Sequence, residues 1–180
     1  MKKSEWKIVS EEHIGNFRIF DIKQLKAISP RTGNLHPYYL LDSTDWVNII
    51  PITKENEVIM VNQFRFGTSK MELEIPGGMV ESEEDPMEAA IRELREETGY
   101  VGNKPIYLGH VDPNPAFLTN KCHMFLVEEC KYDGKQKLDP GEDIEVQKIN
   151  IDKIKDLIKD GTIGHSLVIC AFNFLDLYRK

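Results

Sequence analysis

The segment Arg92-Glu93-Leu94-Arg95-Glu96-Glu97-Thr98-Gly99-Tyr100 opens with three glutamates and two arginines in six consecutive positions. On a helix Glu93, Glu96 and Glu97 are neighbours, and like charges at that spacing repel by about 0.2–0.5 kcal/mol per pair. Arginine pairing, solvation or a bound cation can offset that repulsion. At about 100° per residue, Met87, Ala90, Ile91, Leu94 and Thr98 share one arc, read as the core-facing stripe. The three glutamates share the adjoining arc, with Arg92 at its outer edge. Carboxylates at a buried margin either shift their pKa upward or need positive partners. Gly77 and Gly78 precede the acids and let backbone carbonyls come close to whatever the acids hold. Carboxylate and carbonyl oxygens together are the hard donors that Mg²⁺ or Mn²⁺ prefers. The alternative is a solvated charged face, the usual meaning of a charge run.

These acids need a helix, and its signals are local. Asp85 suits the N-cap, Pro86 the first helical position, Glu88 the third place of a capping box, and Gly99 the left-handed stop. Upstream, WVNIIPIT and EVIMVNQFRF are apolar, β-branched runs separated by KENE, which predicts a hairpin. EVIMV is nearly all apolar, as in a strand covered on both faces. After the loop GTSK, MELEIPGGMV alternates at Met71, Leu73 and Ile75, which turns Glu74 to the other face. WKIVS, FRIFDIKQLKAI and YYLLD are short strands around the turn-rich SPRTGNLHP. PIYLGHV and CHMFLVEEC read as strands and LDPGEDIEV as a loop. A helix follows from about Ile151 to Lys159, then the break GTIGH and a last helix over LVICAFNFLDLY. Strands first and helices later predict an α+β fold or a mixed sheet flanked by helices.

A chain of 180 residues suffices for a real core. The net charge of −7 disfavours a nucleic-acid or anionic-membrane surface, which needs a basic face. It leaves room for a small anionic substrate if a cation supplies the local positive charge. Three cysteines without a C-x-x-C pair predict neither a disulfide framework nor structural zinc, and a cytoplasmic location. MKKSEWKIVSEEH lacks an apolar signal core, and no run reaches membrane-spanning length. Cys122 and His123 read as packing or surface residues and His165 as a helix start. His13, His36 and His110 read as isolated, with no His pair at ligand spacing.

Gly78, five residues, Glu84, seven residues, then Arg92-Glu93-Leu94-Arg95-Glu96-Glu97-Thr98-Gly99-Tyr100 resembles the Nudix box, G-x5-E-x7-R-E-U-x-E-E-x-G-U, with U a bulky aliphatic residue. Every fixed position matches; only Tyr100 departs, at a packing position. The resemblance implies a Nudix fold in which a loop-helix-loop holds divalent cations against a nucleoside diphosphate linked to another group. By position, Glu93, Glu96, Glu97 and the Gly77 carbonyl would be metal ligands. Arg92 would hold the acids, Glu84 would brace the loop-helix join, and Gly78 and Gly99 would be structural. WVNIIPIT, VNQFRFGT, LEIPGGMVE and DPNPAFLTNKCHMFLV, with Pro115, are similar to the flanks of the ADP-ribose pyrophosphatase group.

That analogy places Arg65 on the terminal phosphate or ribose and Glu74 in the site wall. The alternatives are a surface arginine between Phe64 and Phe66 and a solvated strand glutamate. The group carries a catalytic glutamate in a mobile loop before its final helices. Here Glu142 is preferred as general base, with Asp143 and Glu145 as rivals and Pro140 near the matching spot. Residues 1–44 resemble the β extension through which this group forms homodimers, the alternative being a cap on the monomer's core, and residues 45–180 would be the hydrolase domain. The implied reaction is Mg²⁺-dependent (or Mn²⁺-dependent) hydrolysis of ADP-ribose or another ADP-sugar to AMP and a sugar phosphate. GDP-mannose, NADH and dinucleoside polyphosphates remain alternatives, as does a non-catalytic nucleotide-binding module, although such modules commonly lose box acids. Phe17, Phe20, Trp46 and Phe117 are candidates to stack on a base. The partner expected is a nucleotide-sugar, with no nucleic acid and no membrane.

Overall fold

The computed structural model describes residues 5–180. The chain divides into two compact units, Met1–Thr44 with Asp112–Lys121, and Asp45–Val111 with Cys122–Lys180.

The first unit is an antiparallel sheet of β1 (Lys7–Asn16), β2 (Asp21–Ile28) and β3 (Leu35–Asp42), in that order. The sequence places a strand start at Phe17, but residues 17–20 form the turn between β1 and β2. Phe17 N donates to Phe20 O at 2.9 Å, and Asn16 Nδ2 donates to Asp21 Oδ1 at 2.7 Å. β1 escapes a periodicity reading because nearly all of it is exposed, so no apolar alternation marks SEEHIGN. Phe17 and Phe20 stack on each other with ring centroids 5.7 Å apart.

The second unit holds β4 (Trp46–Thr53), β5 (Glu57–Arg65), β6 (Lys70–Glu74), β7 (Gly77–Met79), α1 (Pro86–Thr98), β8 (Tyr100–Val101), β9 (Ile106–Val111), β10 (Cys122–Tyr132) and β11 (Ile144–Asn150). A 3-10 turn, Ile151–Lys153, leads into α2 (Ile154–Lys159), and α3 (Ser166–Tyr178) follows. The strands form one mixed sheet in the order β11-β5-β4-β10-β8, with β6 beside β5, β7 beside β4 and β9 beside β10. Only the β4–β10 pairing is parallel.

The hairpin expected from β4 and β5 forms but is short. A single register pair, Ile52↔Val58, joins them; β4 then pairs with β10 and β7, and β5 with β6 and β11. Both strands can diverge because both sheet faces are covered. Ile50, Ile52, Val58, Met60, Met124 and Leu126 pack under α2 and α3. Val47, Ile49, Ile59, Phe125 and Val127 pack against Ala89, Ala90 and Leu94 of α1. Burying each such aliphatic side chain stabilises the fold by about 1.5–3 kcal/mol, and two covered faces explain the continuous apolar runs.

Helix α1 ends where its sequence says. Asp85 accepts a hydrogen bond from Met87 N, Pro86 opens the helix, and Gly99 at φ 73° closes it with its N–H on Arg95 O. Its buried stripe differs from the expected one. Ile91 is 48% exposed, whereas Ala89, Ala90, Leu94, Glu97 and Thr98 are buried. The stripe is rotated toward the acids, and Glu97 lies inside it. Strands β8 and β11 were not expected; β11 places Glu145 on a strand opposite Asn62 rather than in a loop. His165 occupies the N-cap position of α3, but its side chain makes no cap bond. The three cysteines are free. Among the described residues no helix is long and apolar enough to cross a membrane.

Candidate active site

β7 runs antiparallel to the start of β4, pairing Val47 with Gly78 and Asn48 with Gly77. The pairing brings two glycines close beneath α1. A Cβ on Gly77 would stand 2.3 Å from Val47 O, and one on Gly78 would stand 2.3 Å from Glu93 Oε1. Gly77 therefore needs glycine, since backbone blocks a side chain there, whereas a side chain at Gly78 would displace the Glu93 carboxylate. Gly77 N donates to Glu97 Oε2 at 2.9 Å, tying the strand to the buried helix face.

Arg92 organises the exposed edge of the acids. Its Nε and Nη2 grip Glu84 through both carboxylate oxygens, each at 2.9 Å. Nη1 donates to Glu93 Oε1 at 2.8 Å and Glu96 Oε2 at 3.3 Å, and Nη2 also reaches Met79 O at 3.0 Å. Five N–H groups are all a guanidinium has, so Arg92 is saturated. The fork holds the Glu84 carboxyl below its usual range and raises the Arg92 pKa. Glu84 also accepts from Glu81 N at 3.0 Å, closing the loop before α1.

Glu97 is 4% exposed. Burial pushes its carboxyl up to about 8, against the Gly77 N–H bond and with further upward push from the charges of Glu93 and Glu142. Glu93 is raised for the same first reason, desolvation, with Arg92 opposing and Glu96 and Glu142 adding to it. One saturated arginine thus leaves buried Glu97 and half-buried Glu93 short of positive charge. Among the described residues no three acidic, histidine or cysteine side chains already converge as a metal-binding group. Glu93 and Glu96 turn to Arg92, and Glu97 turns to Gly77 N. The donor set still suits a hard divalent cation: under-neutralised carboxylates beside a glycine strand that backbone oxygens can approach.

Arg65 and Glu74 meet across β5 and β6. Arg65 Nε and Nη2 donate to the two Glu74 oxygens at 2.9 and 2.8 Å. Glu74 is buried, which removes the solvated-strand alternative, and Arg65 is half-buried rather than a free surface side chain. The Glu74 bonds, and then the charges of Glu97 and Glu142, raise the Arg65 pKa. The charge of Glu142 bears on Arg65, Glu93 and Glu97, and Glu142 is half-buried while Asp143 and the β11 residue Glu145 are exposed. Its Oε2 accepts from Asp139 N at 3.0 Å. Gln136, which the sequence did not flag, donates to Glu97 O at 2.6 Å and Ile144 O at 3.1 Å. No motif marks a lone glutamine in a loop, so its partners appear only with the fold.

Other expectations separate from the cluster. His110, read as isolated, and His123, read as a packing or surface residue, lie with ring centroids 5.8 Å apart across β9 and β10. Tyr107 OH stands 2.8 Å from His110 Nδ1, and His123 Nε2 is 2.8 Å from Asp45 Oδ2. Trp46 packs against the core under α2 and α3, while Phe17 and Phe117 are exposed in the first unit. A cavity of about 730 Å³ beside the outer face of α1 is lined by Ile91, Arg95, Lys135 and Lys137 and accounts for the exposure of Ile91. It meets the acid set only at Glu84, Arg92 and Glu96.

Comparison with known proteins adds independent findings. The NUDIX domain model matches residues 43–172. An ADP-ribose pyrophosphatase of Bacillus subtilis is 29% identical over 98% of this chain and 96% of its own length. A methanol dehydrogenase activator of Bacillus methanolicus is also 29% identical, over 98% of this chain and 95% of its own. Among solved structures, one titled as an ADP compounds hydrolase superposes with a TM-score of 0.85 at 21% identity, covering 97% of this chain and 94% of that one. The last likeness is one of fold.

Proposed function

This chain belongs to the NUDIX domain family, and we propose that it is a divalent-cation-dependent pyrophosphohydrolase that converts ADP-ribose or another ADP-sugar, with water, into AMP and a sugar phosphate. The observation that carries this reading is the buried carboxylate Glu97 and the half-buried Glu93, both raised, beside a saturated Arg92. Retention of all box acids supports an enzyme over a binding module, and the similarity to an ADP-ribose pyrophosphatase along nearly the whole chain supports the substrate.

Glu93, Glu96, Glu97 and the Gly77 carbonyl would hold the cation, Mg²⁺ or Mn²⁺. When bound, it supplies charge neutralisation for the diphosphate and a lowered pKa for water. The chain's own residues do the rest. Arg92 and Glu84 fix the helix edge, so that Glu93 keeps one orientation. Arg65, aimed by Glu74, offers its unused N–H groups to a phosphate oxygen, a geometry arginine suits better than lysine. Glu142 takes the proton of the attacking water as a new P–O bond forms and the bridging P–O bond breaks. The second product leaves with the bridging oxygen.

Residues 1–44 are read as a dimerisation extension and residues 45–180 as the hydrolase domain. Trp6, Ile8, Val9, Ile14 and Ile19, all exposed on the first unit, support a homodimer. The free thiols suit a reducing cytoplasm. The test is a rate comparison across ADP-ribose, GDP-mannose, NADH and diadenosine polyphosphates, with Mg²⁺, Mn²⁺ or chelator. AMP release from ADP-ribose should be fastest and lost with chelator. Faster turnover of another substrate would move the specificity, and no turnover of any would sink the enzyme reading.

A further inference from the structure

The segment between β10 and β11 crosses the C-terminal end of α1 and is fastened there by its own backbone and one side chain. Asp133 N and Gly134 N donate to Gly99 O at 2.8 and 3.2 Å, and Lys137 N donates to Glu96 O at 2.9 Å. Gln136 Nε2 donates to Glu97 O at 2.6 Å and to Ile144 O at 3.1 Å. Facing two carbonyl oxygens, the side chain must present its amide nitrogen, which fixes its orientation. The last carbonyls of a helix have no intrahelical partner, and water usually takes them. Here two of them, on residues whose side chains are acids of the cluster, are taken by this segment.

Gln136 therefore joins the last turn of α1 to the first residue of β11. Ile144 is buried and in register with Gln63, so the sheet fixes that end. Between Lys137 and Ile144 the bonds are local: Glu142 N to Asp139 O at 2.9 Å and Asp139 N to Glu142 Oε2 at 3.0 Å. The tight turn containing Pro140 and Gly141 stands on whatever fixes its two ends.

We propose that Gln136 is a positioning residue: its single amide clasps both ends of the 138–143 turn to the carbonyl of Glu97 and so sets where Glu142 stands relative to Glu93 and Glu97. The proposal rests on the reading of Glu142 as general base. A displacement of about 1 Å in a reacting group can cost up to about 100-fold in rate, without loss of the group itself.

Two substitutions test it. Gln136→Met keeps the length and removes both donors. Gln136→Lys keeps reach and donors, and a cation suits a helix C-terminus. Gln136→Met should lower kcat by about 10–100-fold with KM changed less than about twofold, and amides of 138–143 should exchange with deuterium faster. Gln136→Lys should return kcat to within about threefold of the parent and restore slow exchange. Combined with Glu142→Gln, Gln136→Met should lower kcat no further than Glu142→Gln alone. Full kcat or unchanged exchange in Gln136→Met overturns the proposal, as does a loss that multiplies with that of Glu142→Gln. If Gln136→Met does not fold, failure of Gln136→Lys to keep both kcat and slow exchange overturns it equally. A Glu142→Gln enzyme that keeps its kcat overturns the general-base reading and the catalytic role given to the clasp, while exchange across 138–143 still reports whether the clasp exists.

Discussion

Two arginines in this molecule each grip a glutamate through two parallel hydrogen bonds, and they differ in what the rest of the guanidinium does. Arg92 holds Glu84 and uses its remaining N–H groups on Glu93, Glu96 and Met79 O. Arg65 holds Glu74 with two N–H groups, and among the described residues no acceptor meets the others. One fork is closed and holds the acids in place. The other is open and lies within electrostatic reach of Glu97 and Glu142. The same residue pair is used twice, and remaining donor capacity tells the two apart: the closed fork is structural, and the open one is where the proposed substrate contact belongs.

The sharpest way to break this comparison lies between the forks. Glu97→Gln should reduce kcat/KM by about a thousandfold while the protein stays folded, since several kcal/mol of charge stabilisation depend on the cation ligands and about 1.4 kcal/mol is tenfold. A variant retaining rate would remove the acid cluster from the chemistry and leave both forks structural.

The forks themselves come next. Arg92→Lys keeps charge but not geometry, and should lower unfolding free energy in urea by about 2 kcal/mol. That is below the cost of breaking a fully buried pair because the Arg92 side chain is 26% exposed. Arg65→Lys should instead raise KM about tenfold, as expected for one or two charge-assisted bonds to substrate, with a smaller stability loss. Equal stability losses and an unchanged KM for Arg65→Lys would erase the distinction.

A smaller effect reads the charge that the closed fork leaves over. Glu97, at about 8, and Glu93 stand above the ordinary glutamate value of 4.5. The folded chain therefore holds protons that the unfolded chain has released, so without divalent cation stability must fall as pH rises from about 4.5 to about 8. The melting temperature in chelator should drop by several degrees across that window, at about 2–4 °C per kcal/mol, and Mg²⁺ should flatten the profile. A melting temperature rising with pH would contradict it. The smallest change is Asp85→Ala, which should cost about 1 kcal/mol through the lost cap bond and leave KM unchanged. That would separate generic helix stability from the forks.

How much of this was legible beforehand follows from how far apart the partners are. The limits of α1 depend on Asp85, Pro86 and Gly99, each adjacent to what it acts on, and they stand where expected. The closed fork spans Glu84 to Arg92, within one motif, and its spacing was readable. The open fork needs β5 and β6 in register, so the sequence showed two plausible residues and no bond between them. Glu74 alternates away from Leu73 as predicted, but the other face is buried too, a fact no alternation reveals. Ile91 and Glu97 exchanged places relative to expectation because apolarity alone cannot say that a carboxylate will be drawn into the stripe. β11 was missed because IEVQKIN breaks its alternation at Ile149 and follows an acidic turn. Gln136 depended on three elements at once.

The parallel pairing of β4 with β10 has a consequence for how the protein folds. Trp46 and Cys122 are register partners, yet β5, β6, β7 and α1 all lie between them in the chain. Arg65, Glu74, Gly77 and the acidic helix are thus carried on one long crossover, whose closure entropy must be met before the central contacts return anything. On refolding, α1 and the Glu84–Arg92 fork can form early from near neighbours. Gly77 can settle against Glu97 only once the sheet beneath it exists, so recovery of activity should follow the slow phase in which β10 docks, well after helix signal has returned.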